Sequence, residues 1–297
     1  MGTLHFANLN FEEELATGNA TFKHKHYFQL QFLPLLYAKK GDGILVTHLP
    51  EIDGPFHLLD EKIPTYSSFE PWGVTPSTNK ISQTPFSKEM IKIITSKLFT
   101  FQNLPQLPGA KLIENEQELQ AWIDGTPQVL KDPFGFSGRG HFHLPIKKKL
   151  PKTFPLIGEP WLERERDFST HWHISSSIDF LGHTHILSTP FGGFHAASTG
   201  TPEPFLDKHR NIALPLLEKV QALGYRGPLS IDAFIYNNKH HICEINPRKT
   251  FGSLTHHLGK NTTLTYRKGK EGLLPSRLKI SPEKTLEFPL QLFITHT

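Results

Sequence analysis

Asp232, Glu244, Asn246 and Arg248 are the residues whose types and spacing could do chemistry most directly. They fall within one stretch, GPLSIDAFIYNNKHHICEINPRKTFGSLTHHLG, from Gly227 to Gly259. The run LSIDAFIY is rich in β-branched and aromatic residues and reads as a strand. HHICEINP reads as a second strand, stopped by Pro247. Asn237 and Asn238 supply the turn, because Asn tolerates positive φ. Alternation along a strand puts Glu244 and Asn246 on one face. An odd-length turn, for instance Asn237 to Lys239, sets Asp232 directly opposite Glu244. Three oxygen ligands then share that face, which suits a hard cation such as Mg²⁺ that takes its remaining ligands from phosphate and water. Arg248 follows on the same face if the strand persists, and its planar fork suits phosphate or carboxylate. On residue types alone the simpler reading is an edge hairpin with a solvated polar face.

The elements upstream supply further candidates. PFSKEMIKIITSKLFTFQNL, residues 85–104, has Met90, Ile91, Ile94, Leu98 and Phe101 at helical spacing and reads as an amphipathic helical segment carrying Lys97. A lysine on a helix is ordinarily a solvated charge. Asn115 reads as a helix cap with Glu118 at the third helical position. VLK then closes a strand at Lys131, and DPFGFSGRG follows with Gly135, Gly138 and Gly140. Glycines let backbone N–H groups approach phosphate, and Ser137 and Arg139 add donors. A plain hairpin loop is the default for such a turn, and no Walker A motif is present. LIGEPWL reads as another strand, followed by the charged run Glu163, Arg164, Glu165 and Arg166, which by itself reads as a polar strand end with ion pairs. Two strands follow, joined at a Phe180–Gly182 turn, and a helix ends at Gly224.

The order of these features changes the weighting. D-x11-E-I-N-P-R, with Thr250 and Gly252 behind it, resembles the C-terminal metal-binding signature of the ATP-grasp superfamily, to which biotin carboxylase and D-alanine–D-alanine ligase belong. The resemblance covers roughly residues 90 to 260. It implies an α/β (α+β) fold in which two α+β subdomains clasp ATP, preceded by a small α/β N-terminal lobe. The expected division is 1–90 for that substrate-side lobe and 91–297 for the ATP-grasp domain, itself divided into 91–160, with the lysines and Gly loop, and 161–297, with the metal site. Lys97 and Lys131 would contact ATP phosphates, and Ser137, Gly138 and Arg139 would belong to a lid over them. Glu159, with the backbone of Trp161 and Leu162, would receive adenine. Pro160 departs from the commoner pattern, since it has no N–H to offer. Asp167 would bind ribose, with Glu163 as its rival. Asp232, Glu244 and Asn246 would hold Mg²⁺ or Mn²⁺, Arg248 would act in catalysis, and His195, Thr250 and Gly252 would contact substrate. The implied activity is an ATP-dependent ligase that activates a carboxylate as an acyl phosphate for an amine or similar nucleophile. The alternatives are a non-catalytic ATP-binding protein and a phosphotransferase on the same fold.

Composition bounds the rest. The chain has 297 residues, 37% hydrophobic and 20% charged, which fits a globular protein of two or three lobes. The net charge of +4 suits nucleotides and phosphates but is too small to indicate a polynucleotide partner. The partners expected are small-molecule or peptide carboxylates and amines, without nucleic acid or membrane; an oligomer is compatible with the sequence. The one cysteine, Cys243, cannot form an internal disulfide, which points to a reducing compartment, the cytoplasm. It reads as a small buried hydrophobe facing away from Glu244. No apolar run approaches the length of a membrane span, and the N-terminus lacks the basic head and apolar core of a signal peptide. Glu70, Pro71, Trp72 and Gly73 read either as the border of a cleft or, with Trp72, as part of a core. The 18 histidines, four times as H-x-H, read as composition bias rather than a zinc site.

Overall fold

The computed structural model describes residues 2–82, 87–135, 140–145, 150–189, 193–200, 203–269, 271–281 and 284–296. These fall into two compact units. One comprises Met1–Lys88, Ala196–Thr199 and Arg248–Thr297, and the other Glu89–His195 and Gly200–Pro247.

The chain starts in the first unit with β1 (Thr3–Phe6), α1 (Phe11–Thr17) and α2 (Lys25–Leu30). Gly18 ends α1 in the left-handed conformation, as the run FEEELATG predicts. Pro34 prevents α2 from continuing, and a short 3-10 turn, Leu33–Leu36, takes over. Then come β2 (Gly43–Val46), β3 (Phe56–Leu58), β4 (Ser68–Pro71) and α3 (Pro76–Ser82). The four strands form a parallel sheet in the order β3-β2-β1-β4. All four residues of β2 are buried, as its unbroken apolar run requires.

The second unit opens with α4 (Lys88–Thr95) and α5 (Lys97–Asn103). The segment read as one helix is thus two. Ser96 has an extended backbone and its side chain accepts from the Leu98 N–H, so it caps α5. An antiparallel sheet in the order β5-β8-β6-β7 follows, from β5 (Lys111–Ile113), β6 (Gln128–Lys131), β7 (His141–Leu144) and β8 (Leu156–Pro160), with α6 (Glu116–Trp122) between β5 and β6. Asn115 caps α6, accepting from the Glu118 N–H at 2.9 Å. Ile113, Leu119, Leu130, Leu144 and Leu156 form the core of this layer.

The second sheet of this unit is built from β9 (Arg166–Ile174) and β10 (Ile178–Ser188) and, after β11 (Phe194–Ser198) and α7 (Leu206–Ala222), from β12 (Gly227–Tyr236) and β13 (Lys239–Asn246). Its strands run in the order β13-β12-β9-β10. The turn between β9 and β10 lies at Ser175–Ser177, where the Ser175 N–H donates to Ser177 O. Phe180 and Gly182 mark instead an irregularity inside β10, which corrects the expected turn.

The chain then re-enters the first unit with α8 (Phe251–Leu258), β14 (Thr262–Lys268), β15 (Arg277–Ser281), β16 (Lys284–Glu287) and β17 (Leu290–His296). Residues 248–297 therefore group with 1–88, whereas the sequence reading ran the metal-binding subdomain to 297. The physical reason is a shared core: Ile44, Val46 and Trp72 cluster with Leu254, Leu264 and Leu292. Trp72 is 2% exposed, so it is a core residue and not a cleft border.

Candidate functional site

The hairpin β12–β13 reaches the expected pairing by an unexpected route. Asn237 and Asn238 have φ of 51° and 56°, and Tyr236 pairs with Lys239, so the turn has two residues, not three. An even turn alone would offset Asp232 from Glu244. The register is restored by a bulge: Asp232 pairs with Glu244, the next pair is Ala233 with Ile242, and Cys243 is the extra residue. Register also sets Ser230 opposite Asn246 and, on the other flank of β12, Ser169 opposite Asp232. One sheet face therefore carries Ser169, Ser230, Asp232, Glu244 and Asn246. Asn246 Nδ2 donates to Asp232 Oδ2 at 3.0 Å. Ser169 Oγ is buried with no hydrogen-bond partner among the described residues.

A buried polar face of this kind is costly unless it serves a ligand or its groups are paired. Among the described residues no three His, Cys, Asp or Glu side chains gather as a metal cluster. The donor set here is two opposed carboxylates and an amide. It fits a hard cation completed by phosphate and water, and does not fit a closed zinc cage.

Both lysines singled out in the sequence are buried beside this face. Lys97, at the start of α5, is 8% exposed, and Lys131, at the end of β6, is 4% exposed. Lys97 Nζ pairs with Glu244 Oε2 and donates to the Gly135 carbonyl at 2.5 Å. Lys131 Nζ sits 2.5 Å from Glu159 Oε2. Burial works against the Lys131 charge, but the charge and hydrogen bond of Glu159, with Cys243 beside it, together outweigh burial and hold the ammonium above its ordinary range. Lys97, Lys131, Glu159 and Cys243 line one pocket with Ile157 and Ile242. Cys243, the extra residue of the bulge, thus belongs to the pocket wall. Burial pushes its thiol up to about 12, so it is inert as a nucleophile at neutral pH.

His141 is a pocket neighbour that sequence reasoning passed over. It pairs in register with Lys131, directly across β6 and β7. Burial, then the charges of Lys131 and Lys97, push its imidazole down to about 3, so it is neutral at physiological pH. Its H-x-H spacing with His143 placed both on one face, and that was the available signal. His143 in turn meets Trp161 edge-on, with ring centroids 4.4 Å apart.

The segment after β8 holds the nucleotide candidates. The Trp161 N–H is spent on the Pro127 carbonyl at 2.9 Å. Leu162 is half-buried and Glu163 exposed. Asp167, at the start of β9, accepts from Arg164 at 3.2 Å. The ion pairs expected within residues 163–166 do not form among themselves: Arg166 pairs with Glu203, and Glu165 accepts from the Asn238 N–H at 3.1 Å.

Ser137, Gly138 and Arg139 fall outside the described residues. His195 is exposed on β11. Strand β13 stops at Asn246, so Arg248 does not continue its face. Within the first unit Arg248 bridges Gly73 and donates from Nε to Glu12 Oε1 at 2.7 Å. A Cβ on Gly73 would meet the Phe11 ring at 2.3 Å, so only glycine permits this close approach. Thr250 caps α8 in a reciprocal capping box with Ser253, and Gly252 is buried in the first turn of that helix.

No protein-family model and no curated protein matches the sequence. Solved structures do match. The N5-carboxyaminoimidazole synthetase from Staphylococcus aureus complexed with ADP superposes with a TM-score of 0.55 at 14% identity, over 91% of this chain and 83% of that one. The ADP complex of purK, an N5-carboxyaminoimidazole ribonucleotide synthetase, gives a TM-score of 0.54 at 14% identity, over 91% and 81%. At such identity the likeness concerns the backbone arrangement, and that arrangement agrees with the motif order in the sequence: this chain has the ATP-grasp fold.

Proposed function

We propose that the protein is an ATP- and Mg²⁺-dependent ligase that joins a carboxylate to an amine or similar nucleophile. One observation carries the reading. Asp232 and Glu244 stand opposed on a polar sheet face, and the buried Lys97 and Lys131 are ion-paired beside it. Opposed carboxylates suit a cation, and buried ammonium groups suit phosphate oxygens. The solved structures of similar fold hold ADP, which supports the nucleotide part of the reading.

Asp232, Glu244 and Asn246 would hold Mg²⁺, or Mn²⁺ in its place. When bound, the cation would offset the charge that builds up on the transferring phosphoryl group. Lys97 and Lys131 would bind the phosphates, each exchanging part of its present carboxylate partnership for them. Glu159, Trp161 and Leu162 would flank the base, and Asp167 the ribose. The substrate carboxylate oxygen attacks the γ-phosphorus, the bond to the β,γ-bridging oxygen breaks, and ADP leaves with that electron pair. The amine then attacks the acyl carbon, phosphate departs with the C–O pair, and the ammonium proton passes to solvent. Arg248 would steady the acyl phosphate or its tetrahedral successor. Residues 1–90 would serve as the substrate-side lobe, with His195, Thr250 and Gly252 as further substrate contacts. The lone Cys243 suits a cytoplasmic setting.

The test is ADP release from purified protein with ATP and Mg²⁺, screened across carboxylic acids with and without amines. The reading expects release that depends on one class of acid and on Mg²⁺, with free phosphate appearing when the amine is added. A stable phosphorylated acid that persists with every nucleophile would indicate a phosphotransferase. Tight ATP binding without turnover on any acid would indicate a binding protein.

A further inference from the structure

Arg164 is a charged residue that the proposed mechanism leaves without a task. It lies in the connection from β8 to β9, between the candidate base residues and the candidate ribose residue. Its guanidinium carbon sits 5.2 Å from the centroid of the Trp161 ring and 4.4 Å from that of Phe234. The Phe234 ring is stacked in turn on His241, with centroids 5.3 Å apart. The guanidinium therefore packs over two aromatic rings, a setting that favours Arg over Lys. Its NH1 donates to Asp167 Oδ1 at 3.2 Å. Its Nε is buried and has no hydrogen-bond partner among the described residues.

Two features of this arrangement point to a ligand. A buried, charged donor left unsatisfied is expensive, so a site that keeps one has a use for it. Asp167 is also held through one carboxylate oxygen, which orients the group without spending it. The neighbours are those proposed to receive a nucleotide: Glu159 and Cys243 lie close enough to act on the Arg164 charge, and both line the pocket with Lys131. A fixed carboxylate oxygen and an adjacent N–H offer one acceptor and one donor. A vicinal diol, which both donates and accepts, matches that pair.

We propose that Arg164 is a ribose-recognition residue, fixing Asp167 through NH1 and donating from Nε to the sugar's diol. The inference rests on the nucleotide reading given above. It also explains why Asp167 rather than the exposed Glu163 would serve the sugar.

Equilibrium binding of ATP and of 2′-deoxy-ATP, each with Mg²⁺, tests it in the wild type and in Arg164→Met, Arg164→Lys, Asp167→Asn and Lys131→Ala. Wild type should prefer ATP over the deoxynucleotide by about tenfold, the value of one or two well-made hydrogen bonds. Arg164→Met and Asp167→Asn should both reduce that preference to within about twofold, and Arg164→Lys should not restore it. A merely structural role predicts otherwise: Arg164→Met would lower the melting temperature and weaken both nucleotides alike, leaving the preference intact. That result would overturn the inference, as would a wild type indifferent to the 2′-hydroxyl. If Arg164→Met does not fold, Arg164→Lys decides alone, since retained discrimination there removes the need for Nε. Lys131→Ala separates the two levels. Unchanged ATP affinity in that variant would remove the nucleotide reading itself, whereas weakened ATP with unchanged discrimination in Arg164→Met would remove only the Arg164 assignment.

Discussion

Each unit contains cation–carboxylate pairs, and the two sets differ in what they join. In the first unit Arg248 pairs with Glu12, 236 positions away, and Lys249 with Glu70, 179 positions away. His5 is held there between Asp42, at 3.1 Å, and Glu70, at 3.7 Å. These pairs clasp the end of the chain to its beginning, beside the shared core that explains why residues 248–297 fold with 1–88. In the second unit Lys131–Glu159, Lys97–Glu244 and Arg164–Asp167 gather around a pocket and a polar sheet face. The same chemistry serves as a clasp in one place and lines a cleft in the other. Burial of an ion pair is therefore no guide to function by itself. What discriminates is whether the pair lines a pocket, as Lys97, Lys131 and Glu159 do.

That contrast can be broken at its strongest point first. Glu12→Ala strands the Arg248 guanidinium, which is 15% exposed, without its carboxylate. Removing one partner of a buried pair costs about 3–5 kcal/mol, so denaturant melts should show a loss of that size. A loss under about 1 kcal/mol would mean that the pair behaves like a surface one and that the clasp is not where this unit's stability lies.

In the second unit the expected effect is on ligand affinity. Lys131→Ala should weaken ATP about 100-fold, near 3 kcal/mol, and more than Lys97→Ala does. Both line the pocket, Lys131 paired with Glu159 and Lys97 sharing its ammonium between Glu244 and the Gly135 carbonyl. Calorimetric titration of folded variants measures both. Equal, unaltered affinities would leave the second unit's pairs as clasps too.

A smaller effect separates groups of the second unit that should not touch ligand at all. His209, in α7, is fully buried, 3.0 Å from Thr170 Oγ1, and burial lowers its pKa to about 3. Below about pH 6.5 the unfolded chain takes up a proton that the folded chain refuses, so stability falls as pH falls from 6.5 toward 3. At pH 5 the loss is about 2 kcal/mol. His209→Gln keeps a hydrogen-bonding group and should flatten the change in melting temperature between pH 7.5 and 5. Equal acid sensitivity in variant and wild type would assign that loss to other groups, with His141 the first to consider.

The sequence carried the local part of this fold well. The strands of the central hairpin, the cap at Asn115, the end of α1 at Gly18 and the burial of β2 all follow from residues a few positions apart. The pairing of Asp232 with Glu244 was legible from parity, but its mechanism was not. A bulge at Cys243 leaves no mark in residue type, because Cys there satisfies a strand as well as a bulge. The break at Ser96 was legible in principle, since Ser is a preferred cap, but apolar spacing on both sides masked it. Phe180–Gly182 carried the residue that commonly makes turns, and the chain used it for an irregularity within a strand. Long-range facts were out of reach. Nothing near Arg248 announces Glu12, and nothing near Lys131 announces His141 except an H-x-H pattern repeated elsewhere in the chain. Arg164 lay in a charged run whose members looked interchangeable until its contacts with the Trp161 and Phe234 rings distinguished it.

The β12–β13 hairpin is proposed to hold a divalent cation for bound ATP. The direct measurement is ATP affinity with and without Mg²⁺, in wild type and in Glu244→Gln, alongside a thermal melt of each. Glu244→Gln keeps the side chain's shape and removes one charge. Mg²⁺ should tighten ATP binding to wild type by about tenfold or more. Glu244→Gln should melt as wild type does, and Mg²⁺ should no longer tighten its ATP binding. A folded Glu244→Gln protein with the full Mg²⁺ effect, or a wild type that binds no ATP, would contradict this assignment.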